Sequence, residues 1–237
     1  MHMIEAEWWD YEDADELADA VAGDVAFIIE SAIDARGSAV IALAGGKTPG
    51  PILEKLAQAK LPWKNVTIIP TDERIVALDN PLSNVAMLAK IFLPKGARVV
   101  PIVSDKAADY KLAGSAASSR ISDFHWPLDL VWLGMGEDGH TASIFAGPDL
   151  DDALNAPPER KAVGVMPDPM PKDAPVARVT LTRASIQSAK SIVIVLTGEK
   201  KRALLESAIE GGDSSPLPIG RVLAGLETPV DIHWCAG

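Results

Sequence analysis

Short apolar runs alternate along this chain with helical stretches of ten residues or more, and that order limits the folds open to it more than any other feature. "SAVIALAGG" (38–46) leads into "TPGPILEKLAQA" (48–59), and "NVTIIPTDER" (65–74) into "SNVAMLAKIFL" (83–93). "ARVVPI" (97–102) precedes "KAADYKLAGSAASSRISDF" (106–124), and "KSIVIVLTG" (190–198) precedes "EKKRALLESAIEGG" (199–212). "PLDLVWLG" (127–134) is the most apolar run, "PVDIHWCA" (229–236) is the last, and residues 13–36 read as an amphipathic helix stopping at Gly37. Strands separated by helices predict a largely parallel sheet covered on both faces. Thr48 is expected as an N-cap, with Pro49 at the first helical position, where a missing N–H costs nothing.

Four of these runs end in polar turns: "AGGKTP", "PTDER", "GMGEDGH" and "LTGEKK". Ligands of open α/β sheets sit beyond the carboxyl ends of the strands, and in a parallel sheet all four turns emerge on one edge. Gly45 and Gly46 let backbone N–H groups approach an anion, and Lys47 adds a charge. Asp72 and Arg74 share a face of an extended segment; a guanidinium there forks onto phosphate or carboxylate, and Asp72 can orient a hydroxyl or a catalytic group. Lys200, Lys201 and Arg202 crowd the first turn of a helix, which opposes its dipole unless an anion is bound. His140 follows a glycine-rich turn in which Asp138 can fix its tautomer and raise its basicity, while Gly134, Gly136 and Gly139 leave space for a ligand.

Other chemistries fit less well. "GMGEDG" spells G-x-G-x-x-G, but it comes past the middle of the chain and soon meets Gly147-Pro148 instead of opening a long helix. "GGKT" lacks the first glycine of a Walker A loop, since Ile41 stands there. His2, His125, His140 and His233 are scattered, His233 with Cys235 makes no full ligand set, and no metal is expected. With 22 Lys and Arg against 33 Asp and Glu, the net charge of −11 argues against nucleic acid or an anionic membrane as partner. The acidic start has no signal-peptide pattern, no apolar run approaches membrane-spanning length, and a lone cysteine suits a reducing compartment, so a cytoplasmic location is expected. The proline-rich stretch 155–175 reads as an excursion within one domain spanning residues 1–237.

"LAGGKTP", "TDERIVALDNPLSN", "LGMGEDGHTASIF", "RVTLT" and "LTGEKKRALL" together, in this order, resemble the 6-phosphogluconolactonases, within the group that includes glucosamine-6-phosphate deaminase and ribose-5-phosphate isomerase. The G-M-G-x-D-G-H-T-A-S block is the most specific of these. The resemblance implies a three-layer α/β/α fold with a mostly parallel, Rossmann-like sheet, as in those enzymes and in coenzyme A transferases. It implies His140 as the general base activating water, Asp138 as its orienting partner, and a 6-phosphate held by Arg74, Lys201 and the backbone of Gly45, Gly46 and Thr48. Lys47 and Gly136 join that substrate-binding set, and Asp72, Asn84 and Arg178 lie close to the sugar or phosphate, with Asp72 counted among the catalytic groups. The implied partner is a small sugar-phosphate lactone, no cofactor is implied, and the chain is a monomer or homodimer. Two positions depart from the family pattern: Lys47, commonly serine, and Ala146, commonly proline. The deaminase pattern supplies a glutamate after the phenylalanine; here "AGP" follows Phe145. A non-catalytic sugar-phosphate sensor would keep Arg74 and Lys201 but would have no need of His140.

Overall fold

The computed structural model describes residues 4–46, 48–103 and 109–237; Lys47 and the start of the helix expected over 106–124 lie outside the described residues. In chain order the elements are β1 (Ala6–Tyr11), α1 (Ala14–Arg36), β2 (Ala39–Leu43), α2 (Pro49–Leu56), β3 (Val66–Pro70) and β4 (Asp72–Arg74). Next come α3 (Asn84–Phe92), β5 (Arg98–Val99), α4 (Tyr110–Ile121), β6 (Leu130–Leu133), α5 (Leu150–Leu154) and β7 (Ala162–Val165). The chain closes with β8 (Arg178–Leu181), α6 (Arg183–Gln187), β9 (Ile192–Thr197), α7 (Glu199–Gly211), α8 (Pro218–Leu223) and β10 (Val230–Cys235). A seven-stranded sheet runs β1-β10-β9-β6-β2-β3-β5, and every pairing in it is parallel.

Alternation along the central strands explains the two helical layers. Val40, Ala42, Val131, Leu133, Ile192 and Ile194 point to one face and pack with α4 to α8. Ile41, Leu43, Leu130, Trp132, Val193 and Val195 point to the other and pack with α1 to α3. Each such side chain contributes about 1.5–3 kcal/mol when fully buried, so both faces must be covered. The expected three-layer α/β/α architecture is therefore the one observed.

Several local expectations are corrected. Thr48 sits at the N-cap in a helical conformation and makes no side-chain cap, so α2 starts on Pro49 alone. The strand expected to run through Arg74 breaks after Pro70. Thr71 donates its N–H to Leu43 and accepts from Leu181, and the chain then enters a second, antiparallel sheet ordered β4-β8-β7. "ARVVPI" keeps only two residues as strand. The 155–175 excursion contributes β7 to the small sheet. The acidic N-terminus, in which no element was expected, supplies the edge strand β1, paired with β10.

The small sheet is held against α4 by glycines. A Cβ on Gly114 would lie 1.9 Å from the backbone nitrogen of Gly164, and one on Gly164 would lie 1.7 Å from the Tyr110 carbonyl oxygen. Both obstacles are main chain and cannot rotate away. Gly164→Ala is expected to cost about 1–3 kcal/mol through forced backbone shifts, read as a lower urea midpoint. An unchanged midpoint would mean that α4 and β7 can part freely.

At the opposite end of the large sheet, His233 is fully buried, stacks on Tyr11, and has its Nδ1 2.8 Å from the Tyr11 hydroxyl. Among the described residues its Nε2 has no hydrogen-bond partner, with Asp24 Oδ2 3.7 Å away. Burial pushes the Tyr11 hydroxyl up to about 12, so it remains a donor to the imidazole. Burial also pushes His233 below its ordinary value, more than Asp24 and Asp231 raise it. The unfolded chain thus takes up this proton first as pH falls; the contribution is complete above about pH 6.5 and declines as pH drops below it. The thermal midpoint is expected to fall from about pH 6.5 toward pH 5, and His233→Gln to flatten that slope. An identical slope in the variant would assign it to other groups.

Candidate active site

Between β2 and β6 the strand order reverses: the chain proceeds outward through β3 and β5 on one side and through β9 and β10 on the other. The crevice at such a switch point is where ligands bind in open α/β sheets. Here it is flanked by the turns after β2, β3, β6 and β9, the four turns singled out by their polar residues.

The turn after β6 presents His140. Gly139 N–H donates to the Gly136 carbonyl (3.0 Å), Gly136 N–H to the His140 carbonyl (2.9 Å), and Thr141 Oγ1 to the Gly134 carbonyl (2.8 Å). The Ile219 N–H of α8 donates to the Gly139 carbonyl at 2.9 Å. Only glycine fits at 136, because a Cβ there would stand 2.2 Å from Cε1 of the His140 ring and 2.7 Å from Asp138 Oδ1. The imidazole Nδ1 lies 2.5 Å from Asp138 Oδ1, which also accepts the His140 N–H at 3.2 Å. That bond to His140 holds the Asp138 carboxyl below its usual value. An ionised carboxylate only accepts, so Nδ1 carries a proton and Nε2 of the neutral ring keeps its lone pair. Among the described residues Nε2 has no partner, and the side chain is 30% exposed. The ring stacks on Phe145, with centroids 4.2 Å apart.

The "TDER" stretch divides its labour. Asp72 is buried; its Oδ2 accepts from Ser143 Oγ at 2.5 Å and its Oδ1 from Asn84 Nδ2 at 3.4 Å. These bonds fasten the β3–β4 turn to α3 and to the 141–147 loop, and among the described residues no hydrogen bond joins Asp72 to His140. Asn84 Nδ2 also donates to the Asp72 carbonyl (2.8 Å) and fills the space beside Gly45, where a Cβ would come within 2.0 Å of Asn84 Oδ1. Glu73 turns inward and accepts from the backbone N–H groups of Arg74, Asn84 and Val85 and from Ser83 Oγ. Burial raises its carboxyl above the ordinary range, partly offset by those four donors.

Arg74 and Arg178 are direct cross-strand partners in β4 and β8, so their side chains share one face. Arg178 is 4% exposed and donates through Nε and Nη2 to the carbonyls of Val176 and Ala174, which leaves Nη1 without an acceptor among the described residues. Burial and the neighbouring Arg74 charge both work against its ionised form; Asp72 and Glu73 favour it. Arg74 Nη1 donates to the Leu82 carbonyl, while its buried Nε has no partner among the described residues. Among the described residues no carboxylate lies within 4 Å of either guanidinium in an ion pair. Two adjacent cations with spare donors make a site suited to an anion.

The first turn of α7 sorts its three cations. Lys200 pairs with Glu137 at 2.6 Å, and Arg202 pairs with Asp10 and Glu206 and lies over the Trp8 and Trp234 rings. Lys201 makes no ion pair among the described residues. Gly46 takes a left-handed conformation (φ 109°). Sequence reasoning did not single out Glu73, Ser143, Phe145 or Thr180. Thr180 Oγ1 accepts the Ser143 N–H at 3.2 Å. Ser143 and Phe145 stand inside the quoted "GHTASIF" block, but nothing in their residue types says what they touch. Among the described residues no group of three or more His, Cys, Asp or Glu is placed to hold a metal ion.

Residues 12–234 match the model of the glucosamine-6-phosphate isomerases/6-phosphogluconolactonase family. The chain belongs to that family. It is 36% identical over 226 residues to a 6-phosphogluconolactonase of Pseudomonas putida, covering 94% of this chain and 90% of that one. It is likewise 36% identical over 228 residues to one from Rhizobium meliloti, covering 94% and 96%. Its fold superposes on a 6-phosphogluconolactonase crystal structure from Shewanella baltica with a TM-score of 0.90, at 31% identity over 99% of this chain and all of that one. The family's fold and the three-layer arrangement therefore coincide, and among the described residues no helix is long and apolar enough to cross a membrane.

Proposed function

We propose that this chain hydrolyses 6-phospho-D-glucono-1,5-lactone to 6-phospho-D-gluconate, the lactone-opening step of the oxidative pentose phosphate pathway, with His140 as the general base. The observation that carries this reading is the His140 imidazole, held at Nδ1 by Asp138 with Nε2 free, in the same site as the Arg74–Arg178 pair. Arg74, Arg178 and Lys201 hold the 6-phosphate, together with the backbone of Gly45, Gly46 and Thr48; Lys47 and Gly136 belong to the substrate-binding set that the family resemblance implies. Nε2 takes a proton from water as the water oxygen bonds to C1, and the carbonyl electrons move onto its oxygen. Collapse of that intermediate breaks the bond from C1 to the ring oxygen, which receives the proton from the imidazolium. A positioned base of this kind supplies roughly 10²- to 10⁴-fold acceleration, and a held phosphate adds binding energy that the small ring lacks.

Ala146, Gly147 and Pro148 follow Phe145, so the glutamate that the deaminase pattern places there is missing, which favours hydrolysis over deamination. The reading extends to a cytoplasmic, single-domain enzyme that needs no metal or organic cofactor, acting as monomer or homodimer. The test is hydrolysis of freshly generated 6-phosphoglucono-δ-lactone, coupled to 6-phosphogluconate dehydrogenase, with the spontaneous rate subtracted. Acceleration by the protein is the expected result. A rate equal to the spontaneous one, together with ammonia release from glucosamine 6-phosphate, would replace this reading with the amino-sugar one.

A further inference from the structure

The hydrolysis described above makes no use of Phe145, yet its ring touches both ends of the machinery. Its centroid lies 4.2 Å from that of the His140 imidazole with the planes 26° apart, and the Arg178 guanidinium carbon lies 5.7 Å from the same centroid. The chain around it is fastened on both sides. Upstream, Ser143 bonds Asp72, Ile144 is fully buried and donates its N–H to the Thr141 carbonyl, and Ala142 holds a left-handed φ of 48°. A non-glycine residue keeps that conformation only where its surroundings impose it, at a cost of about 1–2 kcal/mol. Downstream, Asp149 accepts the Met166 N–H at 2.7 Å and pairs with Lys111 at 2.6 Å. The half-buried ring is thus held in place by the backbone at either end.

We propose that Phe145 is a positioning residue that sets the spacing between the base and the phosphate anchor, and so selects lactones whose carbonyl and phosphate match that spacing. The inference rests on the roles given to His140 and Arg178 under the proposed function. One flat ring offers a stacking surface to the imidazole and a negative face to the guanidinium, so both groups are registered against a single rigid body. A displacement of about 1 Å between reacting groups costs on the order of 10²-fold in rate. Leucine at 145 would keep apolar bulk but lose the planar faces, freeing the imidazole to swing about its bond to Asp138 and letting Arg178 drift. That loss matters only for a substrate anchored at both ends.

The experiment compares Phe145→Leu and Phe145→Tyr with the natural chain on 6-phosphoglucono-δ-lactone and on unphosphorylated glucono-δ-lactone. In Phe145→Leu, kcat/KM for the phosphorylated lactone is expected to fall about 10- to 100-fold, against at most a few-fold for the other, and Phe145→Tyr to retain most of the activity. Equal losses on both lactones, or no loss, would overturn the proposal. A second readout does not depend on turnover. Inorganic phosphate titrated into the natural chain should shift the His140 ring-proton resonances, and Phe145→Leu should abolish that response. The same response in both chains, or none in either, would overturn the proposal. If the natural chain opens neither lactone, the functional reading falls, and the phosphate titration still decides the role of Phe145.

Discussion

Replacing His140 with alanine is expected to lower kcat for 6-phosphoglucono-δ-lactone by about 10²- to 10⁴-fold while KM stays within a few-fold. The imidazole is partly exposed and its loss unburies little, so the fold should survive with an unchanged far-UV spectrum. Water would still reach C1, but no group placed as Nε2 is would take its proton. Asp72 is a poor substitute, because its carboxylate is occupied by Ser143 and Asn84 inside the protein. Asp138→Asn should lower turnover in the same direction, beyond any change in affinity, since an amide brings no charge to hold the Nδ1 proton. Asp138 sits below its ordinary value because of that bond, so its contribution is present above about pH 3.8 and lost only as pH falls further. Full turnover in His140→Ala would leave the lactonase reading standing and remove the histidine from it.

Arg74→Ala and Lys201→Ala should show the complementary pattern, with KM raised about 10- to 100-fold each and kcat changed much less. The magnitude follows from losing one charge-assisted contact of about 1.5–3 kcal/mol to an anion. Arg74 is the cleaner probe of the arginine pair, since Arg178 also ties down the Val176 and Ala174 carbonyls and its removal would leave those unpaired. Steady-state kinetics on the phosphorylated lactone, with unphosphorylated glucono-δ-lactone as control, provides the check. The control should respond little to either substitution. Natural KM values in both variants would remove these residues from phosphate binding.

How much of this was legible beforehand varies from residue to residue. The His140 turn was readable because its glycines, acid and histidine follow a strand of four buried residues, and such a turn opens at a known edge of a parallel sheet. Arg74 could be named a candidate anion ligand from its position beyond β3. The inward turn of the neighbouring Glu73 was not readable, because an acid that caps α3 and an acid that binds a sugar look the same in one dimension. Strand β1 escaped notice: an edge strand buries only part of its surface, and "AEWWDY" carries charges that read as solvent. Strand β7 was hidden in a proline-rich stretch whose partner β8 is remote along the chain.

By itself, the sequence determined the alternating parallel architecture, the edge on which the site lies and the residue types available there. These follow from local periodicity and from the handful of turns that can end a buried strand. Only the tertiary structure decided which of those residues face one another: Arg74 beside Arg178, Asp72 turned to Ser143, Lys200 spent on Glu137 while Lys201 makes no ion pair among the described residues, and Phe145 lying against both His140 and Arg178. Most of those contacts join residues far apart in the chain, and those between the two sheets depend on the junction at Thr71, which no local pattern encodes.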